Sequence, residues 1–372
     1  MATIRTLPHR PLESGKCETS RRSLARTYAL VMTLFLCAFA GTDQLADAIP
    51  VPPLDLAKLC KSADLVVEAR VTNRRKQQRT VIPLAGTEIG GWSMAAELNV
   101  EHLLKGNFGG RPLTIHFLWP DEGIGYKIIV SGTFGIFFLR GGDDAYEVAD
   151  SYHAYVPAVP GFPAVGGSCL EQVVAGLADV FQARGSAIPD RWIRWDAVNA
   201  LGTVKEPSAT AALEAAARDE DLLVRVWAIR ALIARDYLPA LKLAGKVRVV
   251  GPVPGTENLT ASLGATISGV KDPKAVPLLL PLLSSTDVNV RRGAAGALAN
   301  IPDLRALGPL GEALYDPDHD VRYYAVVGLG KITGQNQWTP SIATFNRNEK
   351  KLLEHWRGWT RAHGYAPTRT TP

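Results

Sequence analysis

The chain has 372 residues, of which 47% are hydrophobic, 21% charged and 8% aromatic, with 34 Gly, 25 Pro and 4 Cys. An ordinary charged fraction and abundant apolar residues exclude wholesale disorder and a collagen-like repeat, and the length predicts two or three domains, each with its own core. The formal net charge is only +5, without the strong basic stripe of a dedicated nucleic-acid binder, so nucleic acid is not an expected partner.

Residues 1–48 read as an export signal. Six basic side chains, Arg5, Arg10, Lys16, Arg21, Arg22 and Arg26, precede an apolar run from Tyr28 to Gly41. That run is shorter than the ~20 residues a membrane span requires. Ala46-Asp47-Ala48 then places small residues at −3 and −1 of a cleavage site before Ile49. Ser20-Arg21-Arg22-Ser23-Leu24 resembles a twin-arginine signal without its usual Phe and Lys, so general and twin-arginine export both stay open. The mature chain is expected in the periplasm or outside the cell, with no remaining membrane span. It would keep two cysteines, Cys60 and Cys169, either bridged in an oxidising compartment or buried as thiols.

Residues 49–168 read as β-rich. Leu54–Ser62 predicts a short amphipathic helix. Strands are predicted at 64–73, 80–84, 93–103, 113–118, 126–130, 134–140 and 145–149, from β-branched clusters and alternation between Gly/Pro turns. Many short strands at close spacing predict a small closed or half-closed barrel. The segments SADLVVEARV, NVEHLLKG and GTFGIFFLRGG resemble secreted domains related to the netrin and tissue-inhibitor OB barrels. Phe134, Phe137 and Phe138 are expected in the core, with Phe137 and Phe138 on opposite faces of their strand. His102, His116 and His153 are scattered, Asp121-Glu122 lies in a turn, and no catalytic or metal motif appears, so no catalytic residue, cofactor or metal is expected. Tyr155–Ser168, rich in Pro and Gly, predicts an extended linker.

Residues 169–335 contain an internal repeat. DRWIRWDAVNAL, DLLVRVWAIRAL, DVNVRRGAAGAL and DHDVRYYAVVGL share Asp-x-x-hydrophobic-Arg followed by small residues. Their arginines, Arg194, Arg225, Arg291 and Arg322, are spaced 31, 66 and 31 apart. The long interval predicts a degenerate fifth copy aligned on Asn258. Three residues on stand Ala197, Ala228, Ala261, Ala294 and Ala325, and six and seven on stand small residues and Leu, a single helical stripe. Preceding helices are predicted at 207–218, 273–284 and 302–315, with Leu213, Leu279 and Leu310 in common register. About five helix pairs of this length stack into an α-solenoid. Residues 336–372 are expected to cap it, with a helix beginning near Asn346 and carrying Leu352, Leu353, Trp356 and Trp359.

The Asp-x-x-Val-Arg and Ala/Leu/Gly pattern resembles the HEAT repeat, of the short type named after phycobilisome lyases. That resemblance implies a binding surface lined by second helices, and a structural ladder of Asp190, Arg194, Asp221, Arg225, Asp287, Arg291, Asp318 and Arg322. Taking the repeat arginine as 0°, the packed stripe centres near ~290° and the opposite ridge near ~110° at ~100° per residue. Positions one and five after the arginine occupy that ridge. They are Trp195, Val226, Leu259, Arg292 and Tyr323, then Asn199, Arg230, Leu263, Gly296 and Val327. Of these, Trp195, Asn199, Arg230, Arg292 and Tyr323 are the types that anchor a partner. The expected function is an exported, monomeric, non-catalytic scaffold for a protein or peptide. A lyase related to the bilin lyases and an inhibitor acting through the β-domain are the alternatives.

Overall fold

The computed structural model describes residues 52–84, 87–110, 112–121, 126–142, 145–161, 166–183, 189–248 and 258–365. The signal segment, its cleavage site and the residues just before the degenerate copy, 249–257, lie outside them.

Helix α1 (Leu56–Ser62) opens with Asp55, whose carboxylate accepts from the Lys58 amide. Six strands follow, β1 (Leu65–Leu84), β2 (Thr87–Lys105), β3 (Leu113–Pro120), β4 (Phe134–Gly142), β5 (Ala145–Val148) and β6 (Tyr155–Pro157), in one sheet ordered β1-β2-β3-β5-β4-β6. β1 pairs with β4 as well as β2, and β3 pairs with β5 in parallel, so five strands are joined in a ring. Alternation places Leu65, Val67, Ala69, Val71, Met94, Ala96, Leu98, Ile115 and Phe117 in a common core. Phe137 belongs to that core, whereas Phe138 faces the other way and is equally buried. The opposite face is covered by α2 (Cys169–Asp179), where Gly176 lies so close to Ile136 that a Cβ would come within 2.9 Å of its Cδ1.

Two expectations are corrected here. The segments at 64–73 and 80–84 form one strand, because β1 and β2 run on as a long hairpin through several register shifts. Tyr126–Val130 is not a strand: Lys127 donates to the Ser151 carbonyl and the Val130 amide to the Thr133 hydroxyl, a looped arrangement. The start of the expected linker, Tyr155–Pro157, pairs with β4.

The remaining elements are α3 (Arg191–Gly202), α4 (Pro207–Ala216), α5 (Leu222–Ala234), α6 (Ala240–Ala244), α7 (Leu259–Ser268), α8 (Val276–Leu279), α9 (Val288–Asn300), α10 (Leu307–Ala313), α11 (His319–Thr333) and α12 (Ile342–Ala362). α3, α5, α7, α9 and α11 pack side by side in chain order as the second helices of successive pairs. Ala197, Ala228, Ala294 and Ala325 are fully buried, as are Leu213, Leu279 and Leu310 in the first layer. The first helices at 273–284 and 302–315 are shorter than the pattern predicts. Each breaks into 3-10 turns around α8 or α10, where Pro277, Pro281 and Pro309 lack the amide an α-helical bond requires.

The degenerate copy is shifted. α7 begins after Asn258, the residue aligned with the repeat arginines, so its inward residues are Leu259, Thr260, Leu263, Gly264 and Ile267, while Ala261 and Ala265 are exposed. A backbone contact sets this register. A Cβ on Gly264 would lie 2.3 Å from the Asn289 carbonyl oxygen, and one on Gly293 2.4 Å from that of Gly264. At the C-terminus the last helix starts at Ser341, earlier than expected, and non-helical angles at Asn348 mark a break near the predicted start. Leu352, Leu353 and Trp356 are buried against the preceding pair.

Candidate functional site

The repeat acids and arginines are built into the architecture. Asp190, Asp221, Asp287 and Asp318 each cap a second helix, their carboxylates accepting from amides of the first turn. A carboxylate there satisfies orphan donors and faces the positive end of the helix dipole. The arginines bridge repeats, though their acid partner is two residues before the next cap. Arg194 pairs with Asp219 at 3.0 Å and Arg291 with Asp316 at 2.8 Å. Asp219 and Asp316 also accept from the amides of Asp221 and Asp318, each at 2.8 Å. Arg322 reaches Glu349 of α12 at 2.7 Å, and Arg225 donates to the carbonyls of Asp219 and Glu220. The acid two before the cap is legible in sequence as Asp-x-Asp at 219–221 and 316–318, a signal the repeat alignment passed over.

Much of the expected ridge is closed. Val226, Leu259, Leu263 and Val327 are buried, and Trp195 is 7% exposed. The inner second helices α5, α7 and α9 are each flanked by second helices on both sides. Burial therefore covers more of their circumference than one stripe, and position one faces a neighbour. Arg292 is part of the ladder, donating to Asp318 at 2.9 and 2.6 Å. Tyr323 is partly exposed and packs on Tyr324 and Phe345 at centroid distances of 5.2 and 5.5 Å, and Asn199 is also partly exposed.

Arg230 stands apart. Its guanidinium lies 4.2 Å over the Trp227 ring, and its Nε donates to the Thr266 hydroxyl of α7 at 3.2 Å. Burial pushes its pKa down, and among the described residues no carboxylate pairs with it. Trp227 meets Trp195 edge-on at 5.8 Å. The Arg230 Nη1 and the indole nitrogens of Trp195 and Trp227 are all buried without a hydrogen-bond partner. These groups donate and cannot accept. Each unsatisfied donor costs about 1–3 kcal/mol, so α3 and α5 carry a cluster that is deficient in acceptors.

Two further groupings tie the sheet to the helices. Glu68 of β1 is 7% exposed and accepts from or donates to His102 Nδ1 at 3.0 Å. Burial raises the Glu68 pKa, while Asp179 at the end of α2 is pushed up to about 6 by burial and by the Glu68 charge. Cys60 and Cys169 are free thiols within hydrogen-bonding reach of each other. That contact holds the Cys60 thiol well above its ordinary range and lowers Cys169, which starts α2 behind the Ser168 cap. Lys105 sits beside them and donates to the carbonyls of Cys60 and Ala63. Lys127 pairs with Asp196 of α3. Among the described residues no three His, Cys, Asp or Glu side chains are grouped to hold a metal, and no helix is long and apolar enough to cross a membrane.

No curated protein matches the chain. Among solved structures, a chain of the complex of CpcE and CpcF of phycocyanin lyase from Nostoc sp. PCC7120 is similar at 23% identity and a TM-score of 0.33, over 49% of this chain and 72% of that one. The family model for HEAT repeats matches residues 181–243 and 258–335. The helix pairs that carry the capped, arginine-bridged ladder are HEAT repeats.

Proposed function

We propose that this chain is an exported, non-catalytic scaffold that binds a protein partner along the open strip of its second helices. One observation carries the reading. The ladder acids and arginines are used up in caps and inter-repeat pairs, whereas Arg230 and Trp227 lie on the same helices with donors to spare. Solenoids of this kind offer extended surfaces built from neighbouring repeats. The β-rich region is read as an OB-like barrel, supported by its ring of strand pairings and its single alternating core. Its role is to hold the first repeat, through Lys127–Asp196 and the packing of α2 on β2, β4 and β6. Export is supported by the basic segment, the short apolar run and the Ala46-Asp47-Ala48 site.

The test is affinity capture from envelope extracts with the mature chain. Wild type is compared with the double variant Arg230→Glu/Tyr323→Ala and with Ala211→Glu on the exposed side of α4. A partner retained by wild type and Ala211→Glu and lost by the double variant is the expected result. A partner held equally by all three refutes the second-helix surface.

A further inference from the structure

We propose that the cluster of Trp195, Trp227, Arg230 and Thr266 is a carboxylate-binding site that grips an acidic side chain of a peptide segment in the partner. The inference rests on the scaffold reading and specifies the chemistry of its central contact.

Charge is the first argument. A guanidinium that is partly withdrawn from water should be balanced by an anion, and the arginines between repeats are, except Arg225, which is satisfied by the carbonyls of Asp219 and Glu220. Arg191, Arg194, Arg291, Arg292 and Arg322 each pair with an acid of the next repeat or of α12. Arg230 has only an aromatic ring and a hydroxyl, and the sole cause acting on its pKa is burial. The nearest acid on the preceding helix, Asp196, is committed to Lys127.

Hydrogen bonding is the second argument. Three buried nitrogens, two indole and one guanidinium, on side chains that pack in a row have donors and no acceptor. The Thr266 hydroxyl accepts from Arg230 and spends its own proton on the Ser262 carbonyl at 3.0 Å. The missing component is therefore an acceptor-only group of compact, planar shape with negative charge. A carboxylate meets that description and matches the forked geometry of a guanidinium.

Access is the third. The degenerate repeat presents Ala261 and Ala265 as exposed residues on α7, so no long side chain from that helix screens Arg230. Asn258, aligned with the repeat arginines, precedes α7, so this repeat has no ladder arginine, and the small Ala265 adjoins the Thr266 that Arg230 contacts.

The test uses acetylated tetraglutamate amide as probe, with tetraglutamine and inorganic phosphate as controls, on the 15N-labelled mature chain at low and moderate salt. Saturable shifts of the Trp195 and Trp227 indole NH signals with tetraglutamate and not with tetraglutamine are expected. Arg230→Gln should weaken that binding at least tenfold, and Arg230→Lys, which keeps charge without the fork, should weaken it severalfold while leaving remote amide signals in place. Phosphate that shifts the same indoles as strongly would reassign the cluster to small anions and overturn the peptide assignment. Absence of indole shifts, or equal tetraglutamate binding by Arg230→Gln, also overturns it. If the capture experiment still yields a partner lost by Tyr323→Ala alone, the scaffold reading stands while this assignment falls.

Discussion

Replacing Gly293 by alanine tests whether backbone contact, and not the arginine column, fixes the register of the degenerate repeat. The added Cβ would sit 2.4 Å from the Gly264 oxygen, 3.0 Å from the Gly264 Cα and 3.0 Å from the Ile267 Cβ. None of these is the flexible end of a side chain. An ordinary contact near ~3.4 Å requires α7 and α9 to separate by about 1 Å, and forced overpacking of this kind costs about 1–3 kcal/mol. Alanine returns about 0.8–1 kcal/mol through helix propensity, which leaves a net loss of about 0–2 kcal/mol. For a domain of this size that lowers Tm by about 2–4 °C per kcal/mol. Gly358→Ala is the matched control, since it lies inside α12 with nothing within 4 Å of the new Cβ. It should gain up to about 1 kcal/mol. Thermal and urea unfolding followed by circular dichroism should move in opposite directions for the two variants. A Gly293→Ala chain as stable as Gly358→Ala would refute the close helix crossing.

Three other outcomes follow from the same contacts. Asp179 is raised to about 6, so its charged form destabilises the native state above that pH, and the cost vanishes below the unfolded aspartate value near 4. The cost is at most ~3 kcal/mol, reduced to ~1 kcal/mol by partial exposure. Asp179→Asn should therefore unfold at higher temperature than wild type at pH 7.5 and at the same temperature at pH 4, by differential scanning calorimetry. Cys60 and Cys169 should form a disulfide in the exported chain, worth about 4–5 kcal/mol in the loop-entropy view; titration of denatured, unreduced protein should find no free thiol, and two would refute the bridge. N-terminal sequencing of the envelope form should begin at Ile49, and a chain retaining Met1 contradicts export by cleavage.

The ladder was legible because a carboxylate before a helix and an arginine one turn into it are local chemistry, repeated at a near-constant interval. The small-residue column was legible in the four regular copies for the same reason. In the fifth it was not: Ala261 satisfied the alignment, yet the contact between Gly264 and Gly293 decided which residues turn inward. Long-range burial was the other blind spot. Trp195 reads as an exposed anchor from one helix, and it is covered because α5 brings Trp227 against it. Arg230 was visible as a candidate. The orphaned donors around it depend on three helices meeting, which no spacing rule encodes. Likewise the carboxylate partners of the arginines belong to the following repeat, so only the Asp-x-Asp doublets hinted at them. In the β-region, strand content was readable from alternation, whereas the pairing of β1 with both β2 and β4 joins segments far apart in the sequence, which alternation does not encode.

The most direct measurement is residue-resolved cross-linking of the mature chain to its captured partner. The account predicts that cross-links and protection fall on α5, α7 and α11, around Trp227, Arg230, Ala265 and Tyr323, with acidic residues of the partner opposite Arg230. Protection confined to the first helices or to the β-strands, with these positions as accessible as in the free chain, would contradict it.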